Sequence, residues 1–195
     1  RFSKVHTDGF VDRATANLNA THLSGAYLDN RQSIQAHFLS GHEITYQAWN
    51  GLPAQYLDID SLRTFNTAGM ERPGSPYPNE VDDYTQRHVL FHYKRSFKSG
   101  LSLQLNAHYT KGYGFYEQYK ADQDLKDYGL PLGPVMDTSN VPTDLIRQRW
   151  LDNDFYGSTF ALRWSPNRIW KPTLMLGGAW SRYQGEHYGK IIWSE

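Results

Sequence analysis

Between residues 86 and 110 the chain alternates strictly, and that period constrains the fold more than anything else in the sequence. Arg87, Val89, Phe91, Tyr93, Arg95 and Phe97 interleave with Gln86, His88, Leu90, His92, Lys94 and Ser96. After Lys98-Ser99-Gly100 the pattern resumes. Leu101, Leu103, Leu105, Ala107 and Tyr109 interleave with Ser102, Gln104, Asn106, His108 and Thr110. Period two puts successive side chains on opposite faces of a strand, whereas a helix would scatter them. A three-residue connection with glycine in third place suits a type I turn closing on a left-handed bulge. That turn predicts a register in which Phe97 faces Leu101, Tyr93 faces Leu105, Phe91 faces Ala107 and Val89 faces Tyr109. On the other face His92 meets Asn106 and Lys94 meets Gln104. A slip of one residue would set polar against apolar throughout.

Two further hairpins are expected. Tyr156, Phe160, Leu162 and Trp164 alternate with Gly157, Thr159, Ala161 and Arg163. Past a turn at Pro166 to Pro172, Leu174, Leu176, Gly178 and Trp180 alternate with Met175, Gly177, Ala179 and Ser181. Ile34, Ala36 and Phe38 alternate with Ser33, Gln35 and His37, while residues 17–28 mix apolar and polar side chains without clean alternation. The reading is six strands in three hairpins, with no helix longer than a turn or two and a short one at Asp58 to Arg63. Short connections (Asp29-Asn30-Arg31, Lys98-Ser99-Gly100 and Pro166 to Pro172) take turns with two long ones, roughly Trp49 to Asp83 and Lys120 to Arg147. Tight turns at one end, long loops at the other and strands of about ten alternating residues are the plan of a transmembrane β-barrel. The expected fold is therefore all-β, an antiparallel up-and-down meander forming part of such a barrel, with the long loops extracellular. Six strands do not close a barrel, which takes about eight at least, and an isolated sheet would leave two open edges. Arg1-Phe2-Ser3 carries no initiator Met, and Ile191-Ile192-Trp193 falls inside a strand-like run. The expectation is one partial barrel domain over residues 1–195, incomplete at both ends.

Composition narrows the function classes. Twenty basic side chains balance 20 acidic ones, so no electrostatic case for nucleic acid exists. Cysteine is absent, which removes disulfides, thiolate metal sites and a cysteine nucleophile. Mean hydropathy is −0.68, and no apolar run approaches the ~18 residues of a membrane helix. A barrel strand needs only every second residue apolar. Aromatic residues make up 15% of the chain, enough for girdles at membrane interfaces, for a sugar-binding surface or for a β core.

Catalytic and metal signals are weak. His88, His92 and His108 share the polar face of the central hairpin, but strand residues four apart sit about 13 Å apart, far beyond shared ligation at ~2 Å. Asp58 and Asp60, or Asp152 and Asp154, lack the spacing of a calcium loop. Glu43, Glu117 and Glu186 have no spacing that pairs two carboxylates for glycoside hydrolysis. No nucleophile elbow, P-loop or complete dinucleotide motif is present, and Gly112-Tyr113-Gly114 reads as a kink or close packing within a strand. We expect no enzyme activity, no metal and no cofactor. Ligand binding is better placed in the long loops and beside them, at Trp49, Tyr56, Arg63, Arg72, Tyr77, Tyr116, Tyr119, Arg147 and Trp150. Aromatic faces there would stack on a flat ligand, and arginine forks would grip carboxylates or phosphates. Such aromatics equally serve as the internal core of an ordered loop. In a barrel, Val89, Phe91, Tyr93, Leu101, Leu103, Leu105, Phe160, Leu162 and Trp164 would face lipid. His88, His92, Lys94, Gln104, Asn106 and His108 would line the lumen.

Five stretches, in order and covering nearly the whole chain, resemble TonB-dependent outer-membrane receptors. They are Ser3-Lys4-Val5-His6-Thr7-Asp8-Gly9-Phe10-Val11-Asp12-Arg13-Ala14, Gly41 to Pro53 (with Thr45-Tyr46-Gln47-Ala48-Trp49-Asn50-Gly51 at its centre, and Leu52 where the family pattern has Val), Thr110 to Lys120, Thr143 to Gly157, and Gly185 to Gly189. The resemblance implies a barrel of about 22 strands in the outer membrane of a Gram-negative bacterium, its lumen filled by an N-terminal plug. It also implies a TonB box in the plug that couples release to the inner-membrane TonB complex. The implied cargo is a scarce nutrient: ferric siderophore, haem, cobalamin or glycan. Neither plug nor TonB box lies in this sequence. The partners expected are outer-membrane lipid, the TonB complex through the plug, and a small-molecule nutrient. Two other readings stay open at this point, a passive outer-membrane porin with the same wall and a soluble β-sandwich that binds carbohydrate through its aromatics.

Overall fold

The computed structural model describes residues 1–129, 142–166 and 172–195. Seven strands follow one another in chain order in a single antiparallel sheet. They are β1 (Phe2–Thr7), β2 (Ala16–Leu28), β3 (Gln32–Tyr46), β4 (Val81–Ser96), β5 (Leu101–Gln123), β6 (Thr143–Trp164) and β7 (Leu174–Ser194). The sheet is an open up-and-down meander, as the connection pattern requires.

The central hairpin has the expected register: Tyr93 opposes Leu105, Phe91 opposes Ala107, Val89 opposes Tyr109, His92 opposes Asn106 and Lys94 opposes Gln104. Its turn closes through Phe97 N–H to the Leu101 carbonyl at 2.7 Å and Gly100 N–H to the Phe97 carbonyl at 3.2 Å. Gly100 sits at φ 78°, a left-handed conformation that costs glycine little. A Cβ there would also run into the Ser165 carbonyl of the neighbouring connection. At the same end, Asp29 Oδ1 accepts the backbone N–H groups of Arg31 (2.7 Å) and Gln32 (2.9 Å). Those two bonds hold its carboxyl below the ordinary carboxylate value. The expected turn at Pro166 to Pro172 connects β6 to β7, and residues 167–171 within it lie outside the described residues.

Three details differ from expectation. The count is seven strands, because Phe2–Thr7 pairs with Ala16–Thr21. Phe2, Lys4 and His6 carry no apolar alternation that would announce a strand; the β2 edge supplies the pairing that local pattern does not. The expected short helix at Asp58 to Arg63 is a single 3₁₀ turn, Asp60–Leu62, preceded by another at Ala54–Tyr56. The strands also run much further into the long connections than ten residues: β5 has 23 residues and β6 has 22. Tyr116, Tyr119, Arg147 and Trp150 therefore stand on strands.

Register carried across all strands sorts the side chains into two faces. On one, Ile34, Ala36 and Phe38 oppose Tyr93, Phe91 and Val89. These in turn meet Leu105, Ala107 and Tyr109, which oppose Phe160, Ser158 and Tyr156. Leu101 and Leu103 oppose Trp164 and Leu162, and these oppose Leu174 and Leu176. The result is an apolar belt about nine residues tall, the length that a tilted membrane strand requires. Beyond Tyr109, Tyr156 and Trp180 the same face becomes charged. Lys111 pairs there with Asp152 and, at 2.9 Å, with Asp154. Nothing among the described residues covers the belt: Phe91 is 41% exposed, Leu174 61% and Leu176 66%. Among the described residues the buried apolar side chains are Tyr46, Ala68, Tyr119 and Leu145, all at the long-connection end.

Replacing Gly100 with alanine forces a left-handed non-glycine residue against the Ser165 carbonyl. The folded full-length protein should lose about 1–3 kcal/mol, read from its urea unfolding midpoint, while Gly74→Ala, at an open position, should lose less.

Candidate functional site

At the long-connection end the strands stop at different heights. β4 accompanies β5 only as far as Tyr116, opposite Asp82, yet β5 continues to Gln123. Seven residues of β5 would thus present bare backbone on the β4 side, an edge that must be paired, covered or solvated. The connection 47–80 supplies the cover with side chains. Gln47 Nε2 donates to the Glu117 carbonyl (2.8 Å) and the Val81 carbonyl (3.0 Å). Glu80 Oε2 accepts the Tyr119 N–H at 3.3 Å, and Gln47 N–H donates to the Glu80 carbonyl at 2.8 Å. Two side chains thereby take over positions that a longer β4 would fill with backbone.

A second layer fastens this cap. Asn66 Nδ2 donates to the carbonyls of Gln47 (2.9 Å) and Asp12 (3.0 Å), and its Oδ1 accepts the Ala68 N–H (3.0 Å). Arg13, at φ 63°, reaches in from the β1–β2 connection. Its Nη2 donates to the Asn66 carbonyl (2.6 Å) and the Ala68 carbonyl (3.0 Å). The Tyr46 hydroxyl donates to the Tyr77 carbonyl at 2.7 Å. Glu117, only 3% exposed, collects three donors: Tyr77 Oη (2.6 Å), Asn79 Nδ2 (2.5 Å) and Gln148 Nε2 (2.7 Å). Burial pushes the Glu80 carboxyl above the ordinary value. Burial and the Glu117 carboxylate push the Tyr77 phenol upward in the same sense. Gly112 and Gly114 lie against β4, before the cap: a Cβ at Gly112 would strike the Tyr84 side chain and one at Gly114 the Asp83 carbonyl, as expected for close approach.

Beside the cap, the far ends of β5, β6 and β7 and the 3₁₀ turn Leu125–Tyr128 enclose a cleft of about 850 Å³. Tyr116, Tyr128, Arg147, Arg149, His187 and Asp127 line it. Arg147 lies against the Gln118 amide oxygen (Nη2, 2.9 Å) and the Tyr128 hydroxyl (Nη1, 3.3 Å). Arg149 donates to the Tyr116 hydroxyl at 3.1 Å. Trp150 and Lys190 border the cleft, but strand alternation turns their side chains to the other face. There the Lys190 ammonium lies 4.3 Å from the Trp150 ring centroid, and Trp150 stacks on Tyr188 at 6.1 Å.

The nine expected ligand-binding residues divide accordingly. Tyr116 and Arg147 meet in the cleft, and Trp49 contacts the Tyr116 ring edge-on at 5.2 Å. Tyr77 and Tyr119 are structural: Tyr77 bonds Glu117, and the Tyr119 hydroxyl donates to Asp144. Tyr56 packs on Phe65 at 5.8 Å, within the 47–80 connection. Arg63 pairs with Asp60 at 3.6 Å on the surface. Arg72 is exposed on the same connection, and Trp150 is on the opposite face from the cleft. Residues that sequence reasoning passed over include Arg13, Gln47, Asn66 and Glu80 in the cap and Arg149 and His187 in the cleft. Arg149 was reachable, since two positions along a strand from Arg147 is the same face. The cap residues had no such signal.

The histidines on the polar face serve local bonds. His88 Nδ1 meets Thr110 Oγ1 at 2.8 Å, His92 Nδ1 meets Asn106 Oδ1 at 2.9 Å, and His108 packs on Phe155 at 4.8 Å. Among the described residues no three metal-ligating side chains converge. Comparison with protein-family models, curated proteins and solved structures found no match.

Two outcomes follow from the cap. Glu117→Ala strands three donors and should destabilise the docked 47–80 connection by about 2–4 kcal/mol, seen as faster proteolytic nicking within it. Because docking raises the Glu80 pKa, the docked form binds its proton more tightly than the free form. Docking should therefore strengthen as pH falls towards the ordinary carboxylate range and weaken as pH rises through the raised value. Nicking rates normalised to a free peptide should show this trend, and Glu80→Gln should flatten it; an equal slope in the variant would refute the assignment to Glu80.

Proposed function

We propose that this chain is part of the wall of an outer-membrane transporter of the TonB-dependent type, with its long connections on the extracellular side. The observation that carries the proposal is the uncovered apolar belt, continuous across neighbouring strands at one height. Short turns bound it on one side; Tyr109, Tyr156 and Trp180 and then charged residues bound it on the other. Water would penalise such a belt, whereas lipid accepts it and the aromatic rim suits the interface. The opposite face, with His88, His92, Lys94, Gln104, Asn106 and His108 in register, has the polarity of a lumen.

The choice of an energised importer over a passive porin rests on the five-stretch resemblance. Elaborate cover at one end supports it as well, since a receptor needs ordered extracellular structure to capture a rare ligand. In this reading the transporter takes up a scarce nutrient, the wall contacts outer-membrane lipid, and coupling to the TonB complex passes through a plug. A soluble sandwich reading gains no support: it requires a second sheet over the apolar face, and all described strands belong to one.

Single cysteines in the full-length protein, expressed in cells, test the orientation. Phe91→Cys should resist a water-soluble maleimide in intact outer membranes and react once the membrane is dissolved. His92→Cys, one residue away, should react from the aqueous lumen when the lumen is accessible. Equal and fast labelling of both in intact membranes would overturn the wall assignment.

A further inference from the structure

Three places in the molecule hold chemistry that the wall and cap do not use: a histidine row on the polar face, the charged rim above the apolar belt, and the arginine cleft. In the row, His22 Nε2 lies 3.3 Å from His37 Nδ1, and His37 contacts His92 edge-on at 5.9 Å. Among the described residues no third ligand converges on any pair there. At the rim Lys111 is already neutralised by Asp152 and Asp154. Of the three, the cleft is where two arginines stand two apart on one strand face with no carboxylate partner among the described residues.

We propose that the cleft between the far ends of β5, β6 and β7 binds a small anion carrying two or more carboxylates. This deepens the transporter reading and rests on it for the claim that the bound anion is cargo. Arg147 and Arg149 are two apart on β6, so their side chains leave the same face about 7 Å apart. Each guanidinium has five donors. The described contacts of Arg147 are to the neutral acceptors Gln118 and Tyr128, and that of Arg149 is to neutral Tyr116. Among the described residues no carboxylate pairs with either.

Described acids on neighbouring strand positions are engaged away from the two arginines. Glu117 takes three donors in the cap, Asp144 receives the Tyr119 hydroxyl, and Asp152 pairs with Lys111. Among the described residues Asp127 is the one carboxylate lining the cleft, against two arginines. A strand that places two permanent cations on one face, braced by phenols and an amide rather than by acids, offers paired forks for bidentate carboxylate recognition. Its volume, about 850 Å³, suits a small molecule rather than a polymer. Gln118, Tyr116 and Tyr128 act as positioning residues that hold the forks open.

The test uses the full-length protein in detergent, with citrate as the polycarboxylate probe and maltotriose as a neutral control, measured by titration calorimetry. Citrate should bind, maltotriose should not, and affinity should fall as salt rises. Arg147→Gln and Arg149→Gln should each weaken citrate at least ten-fold. Arg182→Gln, near the belt on the other face, should leave it unchanged, and circular dichroism should show all three variants folded. No citrate binding by the unaltered protein, or equal binding by both cleft variants, would overturn the proposal. The cysteine labelling of Phe91 and His92 is independent of this result: labelling as expected with no citrate effect refutes the ligand class alone, and the converse refutes the wall alone.

Discussion

Uninterrupted antiparallel register is the constraint from which the other features follow. With side chains alternating at each residue, a single slip between two neighbouring strands would break both faces at once. Instead the pairs run from Phe38 and Val89 through Tyr109 and Tyr156 to Leu162 and Leu176 without a shift. The irregularities that do occur lie at the far end, between Lys120 and Gln123 on β5 and between Ile146 and Arg147 on β6. The region with the strictest pattern is thus the most regular, and bulges gather where the strands pass beyond the belt and their faces no longer need to be sorted.

The unequal heights of β4 and β5 create the second constraint. Extending β5 beyond its neighbour leaves amides and carbonyls that need partners. The connection 47–80 meets them through Gln47 and Glu80, and the β1–β2 connection locks that cover through Arg13. Among the described residues the buried polar side chains therefore concentrate at one end, while the belt holds none of them. Glu117 shows why sequence position misleads about chemistry. A glutamate among aromatics invites a catalytic reading, yet three donors tie it down as an acceptor that organises structure.

The cleft stands apart from the cap in its charge balance. In the cap each buried carboxylate is matched by donors. In the cleft two guanidinium groups rest on phenols and an amide. Removing charged partners while keeping neutral braces preserves the attraction of a site for an incoming anion, because an internal ion pair would have to be broken before binding.

Alternation in the sequence by itself determined the strand class, the Gly100 turn, the central register and the membership of each face, since these depend only on period two and on local turn geometry. It did not reveal β1, whose Phe2, Lys4 and His6 become a strand through pairing with β2, nor the extent of β5 and β6, where both faces turn polar and the period loses its contrast. Tertiary structure alone decided the fate of the aromatic and arginine residues near the long connections. It buried Tyr119, tied Tyr77 to Glu117, turned Trp150 away and brought Arg147 and Arg149 together beside Tyr116. Those outcomes depend on where separate strands end relative to one another, a difference in height that no local pattern encodes.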